Sequence, residues 1–210
     1  MKCKKILNEQ NISMFTKVEM NVFFSLIYVV TENPEVNEIE LKAIKKLSRD
    51  SKNGYNDLKK QISSINSKLQ KMTFVGEDGK KTPFLLFETL HVSDKVLEVK
   101  ISKQFEYLFI DLFNEKKSIA IFDLEELTMI ESKYSKTLYR KLSCFKRSKW
   151  FKKEFDELVT ELGFNSKYKK KDIKVKLKDA IKKLDVYFRD ISISYEKKTI
   201  SGENCVIKWK

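Results

Sequence analysis

Lysines that share one side of a single helix are the residues of this sequence best placed to do binding chemistry. At about 100° per residue, a helix from Lys169 to Leu184 would carry Val175 on the same side as Lys171, Lys178 and Lys182. Ammonium groups neutralise phosphates, and an exposed apolar side chain can contact a thymine methyl. The pattern therefore predicts a helix whose basic side lies in the major groove of DNA.

The other side of this helix is apolar, and two extended segments follow it. Hydrophobic residues recur there at helical spacing: Ile173, Leu177, Ala180, Ile181 and Leu184. Burial of this side would hold the helix down and turn the lysines outward. Residues 190–195 and 205–209 favour two strands joined by a turn. A basic helix followed by a β-hairpin is typical of a winged-helix DNA-binding domain.

The positive charge is concentrated in the second half of the chain. Residues 1–115 contain 18 Lys and Arg against 16 Asp and Glu, a balance of +2, and residues 116–210 contain 25 against 14, a balance of +11. This distribution favours a polyanionic partner, and nucleic acid is the first candidate. The alternative is that the lysines only form solvated faces and keep the protein in solution.

Other classes of protein find little support in the composition. The longest apolar run, Val22–Val30, is far short of the roughly 20 residues of a membrane span, and no signal peptide follows Met1. The three cysteines, Cys3, Cys144 and Cys205, have no paired spacing. We expect free thiols in a reducing cytoplasm, no membrane partner and no zinc site.

No enzyme motif is recognisable, so we expect no catalytic residue, no metal ligand and no cofactor. A rolling-circle initiator would need a histidine pair, and the sequence contains only His91, within a predicted strand. The phosphate-binding pattern GxxxxGK[ST] is absent. Neighbouring carboxylates such as Glu125 and Glu126 fit the solvated side of amphipathic segments.

The first half begins with a predicted extended segment, Ile6–Phe15, and a buried helix. Thr16 and Glu19 have the spacing of a capping box for that helix, which Asn33–Pro34 would end. A short strand, 38–41, and a short helix, 41–47, follow. Residues 73–75, 84–92 and 96–101 alternate and favour a three-stranded antiparallel wing, which a short apolar helix at 105–113 would close.

The strongest helix of this half is predicted at Tyr55–Met72. One side is apolar, and the other carries polar residues that could contact phosphates or base edges: Asn56, Lys60, Ser63 and Ser67. An ordinary solvated face would have the same composition, so both interpretations stay open.

The second half repeats the same order of elements. Each half has a long helix, a short strand, a short helix, a longer helix and a wing. In the second half, Ser132 or Ser135 would cap the first helix and Gly163 would end the helix before the basic one. The expected fold class is α+β, with two tandem winged-helix domains, 1–115 and 116–210, joined by a short linker at 114–118.

Several segments are similar to a known family. Residues 132–142 have the pattern SxYSxxLYxxL, which resembles a helix of iteron-binding plasmid replication initiators. Matching segments follow in the same order: residues 155–158, 168–173, 193–198 and 206–209. In the first half, residues 7–8, 15–16 and 99–105 are also similar. Each segment alone is only weakly specific. Taken together, and in the same order as in the family, the segments extend over nearly the whole chain.

The resemblance implies a non-enzymatic initiator that binds direct repeats (iterons) in double-stranded DNA at a replication origin. Such proteins help to open the adjacent A·T-rich DNA and recruit the host replication initiator and helicase. They exist as monomers and homodimers, and the dimer often represses its own gene. The resemblance also implies that domain 116–210 is the main DNA reader, and that domain 1–115 mediates dimerisation and secondary DNA contacts.

The match also places further lysines on the DNA-binding surface. Lys169 and Lys174 belong to the matching helix, and Lys197 and Lys198 to the turn of the wing. The family often has arginines where this chain has Lys174, Val175 and Lys176. Lysine lacks the planar guanidinium that pairs with guanine. The difference therefore affects recognition of bases at these positions and not the binding of phosphates. The main alternative function is a winged-helix transcriptional regulator with no role at an origin.

Overall fold

The computed structural model describes residues 2–33, 37–50, 54–109, 119–198 and 201–210. The chain forms two compact units. Unit 1 consists of Met1–Gln10 and Phe15–Met129, and unit 2 of Asn11–Met14 and Ile130–Lys210. Each unit contains a three-stranded antiparallel sheet with helices.

Unit 1 starts with a strand and a short helix, β1 (Lys2–Lys4) and α1 (Lys5–Glu9). The prediction of an extended segment from Ile6 to Phe15 is therefore wrong in its first half. The side chain of Gln10 donates to the carbonyl of Ile6 and also exchanges hydrogen bonds with the backbone of Val75. These tertiary contacts stabilise a helix that is too short to show a helical repeat in the sequence.

The capping box predicted at Thr16 is present at the start of α2 (Lys17–Glu32). The backbone N–H of Thr16 donates to a Glu19 carboxylate oxygen over 2.6 Å. The buried Glu19 also accepts hydrogen bonds from Lys68 at 2.6 and 2.7 Å and from Ser64 at 2.6 Å. Both donors lie on α4 (Tyr55–Gln70), so this carboxylate joins α2 to α4.

The remaining core of unit 1 is built on the sheet β2 (Glu38–Glu40), β6 (Val96–Ile101), β5 (Phe87–Val92), in that order. Its inner side buries Ile39, Leu97 and Val99. The predicted short helix is α3 (Leu41–Leu47). Both α3 and α4 pack against α2, with the apolar side of α4 buried as predicted.

The predicted three-stranded wing of unit 1 is wrong in its pairing. Strand β3 (Thr73–Val75) pairs with β4 (Lys81–Pro83) in a separate hairpin, because the turn at Gly76–Gly79 folds the chain back at once. Gly79 has a φ of 77°, which glycine adopts readily. A 3-10 helix, Lys103–Leu108, then follows β6, and residues 110–113 of the predicted helix lie outside the described part.

The division between the units differs from the predicted boundary at 115/116. Residues 114–118 lie outside the described part, and the units divide between Met129 and Ile130. Strand β7 (Ile119–Ile121) pairs with β1, and α5 (Leu124–Met129) packs on α2. Backbone pairing and helix packing therefore place both elements in unit 1.

Unit 2 contains α6 (Lys133–Ser143), β8 (Trp150–Glu154), α7 (Phe155–Leu162), α8 (Lys170–Lys182), β9 (Ser192–Lys197) and β10 (Glu203–Lys208). Ser132 caps α6, as one of the two predicted candidates. Gly163 ends α7 with a φ of 68°, as predicted. A Cβ at Gly163 would lie 2.7 Å from the Cβ of Ser13, so glycine is also required for close approach.

The two sheets have equivalent strand orders. Unit 1 has β2-β6-β5 and unit 2 has β8-β10-β9, so in each the last strand lies between the other two. In each unit a helix, a strand and two further helices precede the hairpin. The predicted fold class is confirmed: the chain is α+β, with two winged-helix units in tandem.

Burial alone would raise the pKa of Glu19, but hydrogen bonds from Lys68, Ser64 and the Thr16 backbone outweigh it and hold the pKa below 4.5. Its stabilising effect is therefore present above about pH 4.5 and is lost as the pH falls through the lowered pKa. We predict that Glu19→Ala lowers the free energy of unfolding by about 2–3 kcal/mol at pH 7.

Urea denaturation at pH 7 and at pH 3 would measure this effect, and the difference between wild type and variant should shrink at the lower pH. Glu77→Ala, which removes an exposed carboxylate from the turn before β4, is the control and should change little. A similar loss in both variants would contradict the assignment.

Candidate nucleic-acid interface

Helix α8 is held in unit 2 by its apolar side. Its buried residues are those predicted from the spacing, namely Ile173, Leu177, Ala180 and Ile181, with Leu184 buried just beyond its end. The hydroxyl of Ser135 on α6 donates to the carbonyl of Ala180 over 3.0 Å. This contact and the buried stripe fix which side of α8 faces outward.

The outward side of α8 carries the predicted lysines. Lys171, Lys178 and Lys182 are exposed, and Val175 between them is 53% exposed. Across the described ranges, no carboxylate lies within ion-pair distance of these three ammonium groups. The surface therefore presents three positive charges and one apolar side chain to solvent.

Two carboxylates limit this surface on one flank. Asp172 and Asp179 are also exposed on α8. At about 100° per residue they lie roughly 40–60° from Val175, on the side away from Lys171 and Lys178. Negative charge disfavours phosphate nearby, so phosphate binding is favoured on the lysine flank of the helix.

Lys174 differs from Lys171, Lys178 and Lys182 because its ammonium group is already paired. Its Nζ lies 2.7 Å from Oε2 of Glu203, and the Nζ of Lys170 lies 2.6 Å from Oε1 of the same carboxylate. The Glu203 side chain is 11% exposed. Lys174 thus joins α8 to β10, and its charge is neutralised within unit 2.

Two aromatic rings lie against these ammonium groups. The Nζ of Lys174 is 4.3 Å from the ring centre of Tyr195 on β9, and that of Lys170 is 4.8 Å from the ring of Phe155 on α7. Hydrogen bonds from Lys170 and Lys174 hold the pKa of Glu203 below its usual value. Burial, and then the charge of Glu203, raises the pKa of the Cys205 thiol to about 12, so this thiol stays protonated.

The other predicted residues of unit 2 lie at the ends of its elements. Lys169 is exposed at the N-terminal end of α8, and Lys197 is exposed at the end of β9. Lys198 lies in the turn that follows, and its Nζ is 2.8 Å from a carboxylate oxygen of Glu154. Both groups of this pair are about one third exposed, so water and salt screen the attraction.

Helix α4 occupies in unit 1 the position that α8 occupies in unit 2. Its predicted polar residues, Asn56, Lys60, Ser63 and Ser67, are all exposed. The Nζ of Lys60 lies 3.9 Å from a carboxylate oxygen of Asp57, which is a weak contact at the surface. This side of α4 offers hydrogen-bonding groups with little net charge.

Metal-binding geometry is not found in the part of the chain that the structure describes. His91 is exposed on β5, opposite Glu98 of β6. No three His, Cys, Asp or Glu residues come together as a metal site within the described residues. None of the described helices is long and apolar enough to span a bilayer.

A sequence model described as "Initiator Replication protein, WH1" matches residues 1–143. The chain belongs to this family of replication initiators. The predicted family is thereby confirmed, and its members act as DNA-binding proteins and not as enzymes.

Similarity to a curated replication protein agrees with the assignment to this family. The initiator is 26% identical, over 163 residues, to a probable replication protein, Rep, of Bifidobacterium longum (strain NCC 2705). That match covers 74% of this chain and 53% of the relative, so the chain spans about half the length of that curated protein.

Two solved structures share the fold at low sequence identity. The Pi initiator protein, solved in complex with iteron DNA, has a TM-score of 0.70 and 17% identity, and the match covers 100% of this chain and 96% of that one. Domains 2 and 3 of RctB have a TM-score of 0.53 and 12% identity, with coverage of 93% and 82%.

Sequence reasoning missed Glu203, Lys170 and Tyr195 in the initiator. Glu203 is separated from its lysine partners by about thirty residues, and the contact depends on how β10 pairs with β9. A single acidic residue after Gly202 gives no periodic signal. Asp172 and Asp179 could have been found, because the helical spacing that selects the lysines also places these carboxylates beside them.

We predict that Lys178→Ala and Lys182→Ala each weaken binding to double-stranded DNA, because each removes an ammonium group from the outward side of α8. Each should reduce the slope of log affinity against log salt by about 0.9. Fluorescence anisotropy with a labelled duplex over a KCl series would measure this slope.

Lys42→Ala removes an exposed lysine from α3 of unit 1 and is the matched control for charge. It should leave the slope close to that of the wild type. If the α8 variants behave like Lys42→Ala, the outward side of α8 is not the DNA-binding surface.

Proposed function

We propose that this initiator binds direct repeats in double-stranded DNA at a plasmid replication origin through the outward side of α8. The observation that carries the proposal is the arrangement of α8, with one side buried and Lys171, Lys178 and Lys182 exposed on the other. The hairpin β9–β10 follows as a wing. The Pi initiator, which has the same fold, was solved with iteron DNA, and this supports the assignment.

The chemistry of this side predicts how the binding energy is distributed. Lysines contact phosphates as point charges, so most of the affinity should be independent of sequence and strongly dependent on salt. Val175 can contact a thymine methyl. Discrimination between sites should therefore come from such apolar contacts and from the shape of the DNA, more than from bidentate pairing with guanine.

Unit 1 is proposed to add secondary DNA contacts through Asn56, Lys60, Ser63 and Ser67, and to mediate dimerisation. Monomers would bind the repeats, help to open the adjacent A·T-rich DNA and recruit the host replication initiator and helicase. The dimer would repress the gene of the initiator. These steps would take place in the cytoplasm, where cysteines outside disulfides, such as Cys144, stay reduced.

Footprinting on the DNA that surrounds the gene of this initiator tests the proposal. We expect protection of several direct repeats of about 20 base pairs, which is two helical turns, next to an A·T-rich stretch. Protection should fail in the Lys178→Ala/Lys182→Ala double variant, which keeps the buried side of α8. Binding without any protected repeat would contradict the proposal.

A transcriptional regulator with a winged helix would also protect DNA near its gene. Deletion of the gene from its replicon separates the two functions, because an initiator is needed to maintain the replicon and a regulator is not. Restoring the gene in trans should restore replication. Normal maintenance without the gene would favour the regulator.

A further inference from the structure

The carboxylate of Glu203 neutralises two lysines at the N-terminal end of the DNA-facing helix. It contacts Lys170 through one oxygen and Lys174 through the other, at 2.6 and 2.7 Å. Such charge-assisted hydrogen bonds are among the stronger polar contacts in proteins. Glu203 is the first residue of β10, so the contact fastens the first two turns of α8 to the central strand of the wing sheet.

Aromatic rings complete the environment of these lysines. The ammonium group of Lys174 lies 4.3 Å from the ring centre of Tyr195 and 5.7 Å from that of Phe155. Lys170 shares the ring of Phe155 and is more open to solvent, with a side chain 53% exposed against 31% for Lys174. Cation–π contacts and the carboxylate together give Lys174 a fixed place inside unit 2.

We propose that Glu203 is a positioning residue that also determines specificity, because it fastens α8 to the wing and withholds Lys170 and Lys174 from DNA phosphates. The lysines on the outward side of α8, Lys171, Lys178 and Lys182, then bind the DNA phosphates. This inference deepens the proposed function and rests on it. It also changes the role of Lys174 from a DNA contact to a structural contact.

The physical reason is that a lysine–phosphate contact stabilises binding to every sequence equally. Two more free ammonium groups beside the DNA would raise affinity for random DNA as well as for the specific site. Without the Glu203 contact, α8 would also be positioned less accurately for its specific DNA site. A carboxylate at this position therefore lowers nonspecific affinity and preserves the geometry that specific contacts require.

The first test compares Glu203→Gln with Glu196→Gln. Both raise the net charge by one, and Glu196 is also paired to a lysine, with 2.8 Å between its Oε2 and the Nζ of Lys152. Glu196 lies on the other side of the sheet, because it neighbours Tyr195 in the strand. Binding to a random duplex and to the repeat-containing duplex would be measured over a KCl series.

We expect Glu203→Gln to steepen the salt slope on the random duplex by about 0.9 for each released lysine, which is roughly an eightfold gain in nonspecific affinity per lysine at 0.1 M salt relative to 1 M salt. The released lysines should raise affinity for both duplexes, and the ratio of specific to nonspecific affinity should fall because the specific duplex also loses contacts that need α8 to be held in place. Glu203→Asp should recover part of that ratio. Slopes and ratios equal to those of Glu196→Gln would overturn the proposal.

A second measurement covers the case in which Glu203→Gln folds poorly, as judged by circular dichroism. Lys174→Met keeps most of the aliphatic side chain and removes the charge. We expect it to leave the salt slope on the random duplex unchanged, whereas Lys178→Met reduces the slope by about 0.9. An equal reduction in both variants would overturn the proposal.

Binding to the random duplex tests this inference independently of the proposed function. If the wild type does not prefer the repeats, the proposed function fails, while the slopes of Glu203→Gln and Lys174→Met still decide whether the two lysines are withheld.

Discussion

Burial of the apolar side of α8 is the contact on which the exposed basic surface of this helix depends. Ile173, Leu177 and Ile181 each contribute about 1.5–3 kcal/mol when fully buried. This energy holds a helix whose other side concentrates positive charge, and like charges disfavour such a concentration. The neutralisation of Lys170 and Lys174 by Glu203 reduces that repulsion where the basic residues are densest. Packing and charge pairing thus act together to present a few lysines in a fixed direction.

The same arrangement of strands carries different chemistry in the two units. Helix α4 shows amides and hydroxyls at its surface, whereas α8 shows lysines. Each unit also contains a carboxylate of low exposure that joins a helix to a second element. Glu19 connects α2 to α4, and Glu203 connects α8 to β10. In unit 1 the carboxylate joins two helices of the core, and in unit 2 it joins the basic helix to the sheet.

Sequence patterns predicted the elements that have strong periodicity or clear end signals. Helices α2, α4 and α8, the Thr16 capping box and the left-handed Gly163 depend on neighbours close in the chain. The wing of unit 1 was mispredicted because strand pairing is a tertiary choice, and β3 could pair with either neighbour. The outward lysines of α8 followed from its spacing alone. The pairing of Lys174 with Glu203 did not, because the contact exists only after the wing has folded.

Residues 11–14 belong to unit 2, although the segments on both sides of them belong to unit 1. The carbonyl of Ser13 accepts a hydrogen bond from Lys133, and Ser13 packs closely against Gly163. The polypeptide therefore crosses between the units more than once, and no single cut separates them cleanly. A recombinant fragment beginning at Ile130 would lack a piece of its own structure, and the turn between α7 and α8 would be exposed where Ser13 had covered it. Dissection of this initiator by truncation would thus perturb the half it sets out to isolate.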